Sequence, residues 1–206
     1  MTVDDVRTLR EAVSRRLPPR RFRHVLGVEQ RAVWLARRLC PSEILRLSVA
    51  ALLHDVTKDV ADEDQPELCR RLGVAVTEEE ARLPAVLHAA SGAFVARRDF
   101  GAYCDAEILS AIRHHTIGDV AMPLFTRVLM LADFTEPTRR WERCKETERE
   151  LLALPADAPP EAQRAHFERV FLSMLRRKAA YVDTLETPAE TTARVCAWYA
   201  ARIAAR

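Results

Sequence analysis

Glycine is scarce in this chain, with five residues in 206. Gly92, Gly101 and Gly118 are scattered, so no glycine-rich loop can cradle a phosphate with backbone amides. The five cysteines, Cys40, Cys69, Cys104, Cys144 and Cys196, are odd in number and form no CxxC pair. That disfavours a disulfide framework and a cysteine zinc site, and the thiols read as reduced and mostly used in packing. No run approaches the roughly 18 apolar residues that span a bilayer. The first residues, MTVDDVRTLREAVSRRL, lack the apolar core of a signal peptide. These absences predict a cytoplasmic chain with no membrane partner. Charge of one sign is missing too: 32 Lys and Arg against 30 Asp and Glu give +2, which implies no general affinity for nucleic acid. No segment alternates with period two as a half-buried strand must.

What remains is helical. At 49% hydrophobic and 30% charged, the composition is that of a globular protein large enough for a substantial core. Val3, Val6, Leu9, Val13 and Leu17 recur at helical spacing before Pro18-Pro19 ends the element. Further helices are predicted over about 22–39, 43–58, 87–99, 105–115 and 122–134. DVADEDQPEL reads as a loop. Thr77 followed by three glutamates resembles a capping box, and Pro84 bends the chain before His88. After a second loop, LPADAPPEAQ, helices are expected around 167–181 and 188–203. Phe167, Val170, Phe171, Met174 and Leu175 form an apolar face that needs a partner, so residues 1–206 read as one all-α domain with its core at about 20–140.

Four histidines and two aspartates carry the chemistry. His24, His54, His88 and His115 have small or apolar flanks in RFRHVLGV, ALLHDVTK, AVLHAASGA and IRHHT, which points their side chains inward. Asp133 lies in the apolar run VLMLADF, where a buried carboxylate needs a cation, and a metal is the economical choice. Neutral imidazole and carboxylate are ligands of iron, manganese or zinc, and the set suits one ion or a close pair between facing helices. Adjacent on a helix, His54 and Asp55 diverge by about 100°, so His54 binds directly while Asp55 leans across, able to bridge to a second ion. Lys58, one turn on, is placed for a phosphate.

RFRHVLGV, VAALLHDVTKD, LHAASGAFVARRDFG, EILSAIRHHTIG and VLMLADFTEPTR, in this order, resemble successive blocks of the HD-domain phosphohydrolases, and within them the YqeK-type symmetrical bis(5'-nucleosyl)-tetraphosphatases. The resemblance covers roughly 22–139 and continues more weakly through the C-terminal helices. It implies an all-α HD-domain helical bundle, bound iron (with manganese, cobalt or zinc as alternatives), and hydrolysis of diadenosine tetraphosphate to two ADP. It also implies metal ligation by His24, His54, Asp55 and Asp133, with Asp55, His88 and His115 on a second ion if one binds. Arg21, Lys58, His88, His115, Thr116 and Arg139 match positions that approach the nucleotide. His114 replaces the family's usual Tyr, and GDVAM replaces a stretch that usually contains Arg.

The chemistry agrees. Polyphosphate hydrolysis needs a cation on the attacked phosphoryl group and more charge around its oxygens, from Lys58, Arg21 and Arg139. His88 or His115, if not a ligand, would protonate the leaving oxygen, since a near-neutral pKa suits that role. Tyr181 is a candidate surface for stacking the base. The same ligands would also serve a deoxynucleotide or cyclic-nucleotide phosphohydrolase, or a nucleotide-sensing module. A homodimer is left open.

Overall fold

The computed structural model describes residues 1–153, 155, 157–182 and 190–204. All regular structure among them is helical: α1 (Val3–Arg16), α2 (Pro19–Leu39), α3 (Ile44–Leu53), α4 (Gln65–Leu72), α5 (Glu78–Ala81), α6 (His88–Phe100), α7 (Ala106–His114), α8 (Leu124–Thr135), α9 (Glu142–Leu152), α10 (Pro160–Val182) and α11 (Glu190–Ala204). The all-α expectation holds. None of these helices is long and apolar enough to cross a membrane.

α2 is the axis of the bundle. Pro19 starts it at the first position, where a missing N–H costs nothing. Val25, Val28, Ala32, Leu35 and Ala36 then recur at helical spacing and are all buried, against α3 and α8. α3 is buried from Leu47 to Leu53, as an inner helix must be when it is apolar all round. The apolar face expected near position 167 belongs to α10. Phe167, Val170, Phe171, Met174 and Leu175 are buried, and α10 packs on α9 and α11 and also touches α2 and α8.

Three boundaries differ from expectation. The helix expected to run to about Lys58 stops at Leu53, because His54 Nδ1 donates to the Ala51 carbonyl at 2.7 Å in competition with the helix ladder. The chain continues in tight turns, with Val56, Lys58 and Val60 each bonding three residues back. The supposed loop DVADEDQPEL contains the start of α4, whose Gln65 side chain is fully buried and donates to the Thr57 and Val60 carbonyls. The second supposed loop is shorter than read, since α10 begins at Pro160. The expected start of the last helix, at 188, lies outside the described residues.

Candidate metal centre

His24 comes from α2, His54 and Asp55 from the turn after α3, His88 from the first residue of α6, His115 from the end of α7 and Asp133 from α8. Sequence positions 24 to 133 thus meet in one place. His24 Nε2 lies 3.4 Å from Asp55 Oδ2 and 3.2 Å from Asp133 Oδ1, and His54 Nε2 lies 3.6 and 3.8 Å from the same two oxygens. Four donors each about 2.1 Å from a central ion would stand roughly 3.0–3.5 Å apart; the His24 distances fall in that window and the His54 distances lie just beyond it, a spacing that suits a ligand set.

The outer nitrogens explain why the inner ones converge. Nδ1 donates to a carbonyl three residues back in His54 (Ala51, 2.7 Å), His88 (Ala85, 2.8 Å) and His115 (Ile112, 2.7 Å). In His24 it donates to Glu136 Oε1 at 3.1 Å. These bonds fix each ring and leave Nε2 facing the centre, the outer-shell arrangement of metal-binding histidines. The Nε2 atoms of His24 and His54 are buried without a hydrogen-bond partner. Two orphaned imidazole nitrogens beside two carboxylates are chemically suited to a divalent cation.

Asp55 faces both ways. Its Oδ2 belongs to the group above, while Oδ1 lies 3.5 Å from His88 Nε2 and 3.7 Å from His115 Nε2. A carboxylate shared between two donor groups is what a bridging ligand requires. Although the two residues are adjacent and His54 keeps helical backbone angles, His54 Nε2 and Asp55 Oδ2 lie 3.6 Å apart, so both reach one centre.

Burial would drive these groups neutral, and their mutual charges decide otherwise. Desolvation pushes Asp55 and Asp133 up, but the surrounding imidazoles and, for Asp133, Arg139 hold both well below the usual carboxylate range. Burial also opposes protonation of His24, yet Asp133, Asp55 and Glu136 together raise it to about 11. Burial wins at His54 and His88, lowered to about 4 and about 3. A neutral His88 is a ligand or an acceptor. Burial thus works against the near-neutral pKa expected of His88.

Cations rim the centre. Arg21 donates to Asp55 Oδ2 at 2.7 Å, and Arg139 donates to the carboxylate of Asp133, which is half-buried. The cation that Asp133 was expected to need is thus supplied in part by the chain itself. Lys58 Nζ is held by Asp62 and the Ala85 carbonyl, both at 3.0 Å. The Thr116 hydroxyl lies 3.2 Å from His88 Nε2 and 3.1 Å from His115 Nε2. His114 turns away, bonding Ser110 at 2.8 Å.

Sequence reading missed three supporting residues. Glu136 is buried and orients His24, and the signal was an acid three residues after Asp133 at the end of the same helix. Gly27 admits it, since a β-carbon there would collide with Glu136 Oε2. Lys178 of α10, half-buried, donates to the Thr116 carbonyl. Removal from water lowers its amine to about 8.

An all-helical bundle with histidines and an HD pair converging on one centre defines a class, and the chain belongs to it: the HD-domain family matches residues 21–138. Among its relatives are proteins named symmetrical bis(5'-nucleosyl)-tetraphosphatase. That of Bacillus subtilis is 32% identical over 127 residues, 62% of this chain and 67% of the relative. That of Halalkalibacterium halodurans is 30% identical over 133 residues, 64% and 68% of the two chains. The fold is similar to that of a crystal structure described as a predicted HD superfamily hydrolase involved in NAD metabolism from Clostridium acetobutylicum, with a TM-score of 0.75 and 24% identity over 98% of each chain.

Proposed function

We propose that this protein is a metal-dependent phosphoric anhydride hydrolase that cleaves diadenosine tetraphosphate symmetrically to two ADP, with iron as the metal. The observation that carries the chemistry is the convergence of His24, His54, Asp55 and Asp133 with two orphaned imidazole nitrogens. The relatives' shared name supports the substrate.

Such an ion would be held by those four residues, and it would neutralise charge on the attacked phosphoryl group and acidify a water molecule. Asp55 Oδ1, His88 and His115 would hold a second. In the reaction, water adds to one of the two inner phosphorus atoms and their bridging P–O bond breaks. The electron pair leaves on the bridging oxygen, so one water and one substrate give two ADP.

The chain's own residues supply the rest. Arg21 and Arg139 stand at the two ligand carboxylates, where phosphate oxygens would meet positive charge. Lys58 and Lys178 add charge from either side, and the Thr116 hydroxyl is positioned to donate to a phosphate oxygen beside His88 and His115. His88 or His115, whichever does not hold metal, is the candidate for proton transfer to the leaving oxygen.

Incubating metal-loaded protein with diadenosine tetraphosphate and resolving the nucleotides by chromatography tests this reading. ADP as sole product from the earliest time points is expected. Equimolar ATP and AMP as first products would reject it.

A further inference from the structure

Beyond Asp133 the chain reads Arg139-Arg140-Trp141-Glu142-Arg143, and it exposes an indole where α9 begins. Trp141 is 54% exposed, among the largest apolar exposures in the described residues. It is not loosely held. The Arg139 guanidinium, which donates to the Asp133 carboxylate, also stands 5.3 Å from the Trp141 ring centre. Arg143 lies 5.0 Å from the same ring and 4.0 Å from the ring of Tyr181, itself 45% exposed. One guanidinium therefore joins the metal-site carboxylate to the indole, and a second joins the indole to a tyrosine on α10.

Exposed aromatics that adjoin one another within a rim of charged residues mark interaction surfaces. Cation–π contacts of this kind restrain the rings in advance, which lowers the ordering cost for a flat ligand. Purine rings stack on such surfaces whatever their edge groups. The Arg139 guanidinium between this surface and the Asp133 carboxylate favours a ligand whose flat ring is tethered to a polyphosphate. A substrate with a nucleoside at each end has one nucleoside on either side of the bond that breaks. Only one of them accompanies the phosphates held inside.

We infer that Trp141, ordered by Arg139 and Arg143 and extended by Tyr181, is the stacking platform for the outer nucleobase. It would thereby select dinucleoside over mononucleoside polyphosphates. The assignment rests on the hydrolase reading above, and it names a part of the site that lies past the family-matched region, which ends at residue 138.

The test compares Trp141→Ala and Trp141→Phe with the parent protein on two substrates, diadenosine tetraphosphate and adenosine 5'-tetraphosphate, which lacks the second base. Trp141→Ala should raise KM for the dinucleotide roughly ten-fold or more, in keeping with the loss of one stacked base, and leave the mononucleotide unaffected. Trp141→Phe should keep most of the discrimination. Equal losses on both substrates, or none on either, would overturn the platform. A second readout is independent of turnover. Titrating the protein in chelator with diadenosine tetraphosphate should quench tryptophan fluorescence, and the quench should vanish in Trp141→Phe. Unchanged quenching in that variant would also overturn the assignment. A parent protein that binds with this quench but yields no ADP would refute the hydrolase reading and leave the platform standing.

Discussion

Glu136 holds His24 from behind, Oε1 to Nδ1 at 3.1 Å, while its other oxygen occupies the space that a β-carbon on Gly27 would need. Two residues three apart on α2 are therefore matched to one carboxylate at the end of α8. Gly27→Ala should displace Glu136, free the His24 ring and weaken metal affinity by roughly 10–100-fold, the usual cost of losing an outer-shell partner. Metal content after dialysis against a graded chelator reads this directly. Retention equal to the parent would mean that Glu136 does not orient the ligand.

Removing both ends of the HD pair is the severest test of the centre. His54→Ala with Asp55→Ala should abolish bound metal and turnover together, since it deletes one imidazole and the carboxylate that faces both donor groups. Elemental analysis of the purified variant checks it. Full occupancy would place the metal elsewhere.

Lys58 offers a contrast, because it touches none of the four proposed ligands. Lys58→Ala should leave metal content near that of the parent and lower kcat/KM by roughly 10–1,000-fold, the range expected for a lost charge-assisted phosphate contact. Unchanged kinetics would return Lys58 to a structural role on Asp62 and the Ala85 carbonyl.

Protonation gives a fourth prediction. With His24 raised to about 11, metal must displace a proton from it, so binding at pH 8 should release about one proton per ion, and progressively less as pH rises toward 11. Pairing a metal titration with a pH indicator measures this. Without metal, the stabilisation from His24 is full below its unfolded pKa of about 6.5 and is lost as pH rises toward 11. His54 and His88 act in the opposite sense: kept neutral in the fold, they favour it above about 6.5, and that contribution is lost as pH falls toward their lowered values. In chelator, Tm should therefore fall on both sides of neutrality; a Tm independent of pH from 4 to 10 would contradict these assignments.

Gln65 shows where the sequence was hardest to read. Its side chain spans the Thr57 and Val60 carbonyls and accepts from Ser91, whose hydroxyl in turn lies 2.9 Å from that of Thr57. Gln65→Ala strands these buried groups and should cost about 1–3 kcal/mol in urea unfolding. A cost within error of zero would show that water replaces the amide.

Nothing in DVADEDQPEL announces that role. Local pattern registers acid and proline as loop, whereas the Gln65 side chain is drawn in by the Thr57 and Val60 carbonyls of the turns that follow α3. The long helices were legible because their apolar spacing is set by the core they face, as in α2 and α10. The six histidine and aspartate positions were legible too, because ionisable side chains among small apolar neighbours stand out. Their outer-shell partners were not: Glu136 and Lys178 look like ordinary helix-surface charges until α8 and α10 are packed. Trp141 lay hidden in a charged run for the same reason.

The proposed ligands come from widely separated stretches of chain, the first at position 24 and the last at 133. An ion gripping all of them would act on the unfolded chain as a cross-link does, closing long loops and removing much of the entropy that favours unfolding. Metal supply would then govern how long the protein persists as well as whether it turns over. A cell short of the metal would hold a looser bundle, with α10 and α11 lying outside every loop the ion closes.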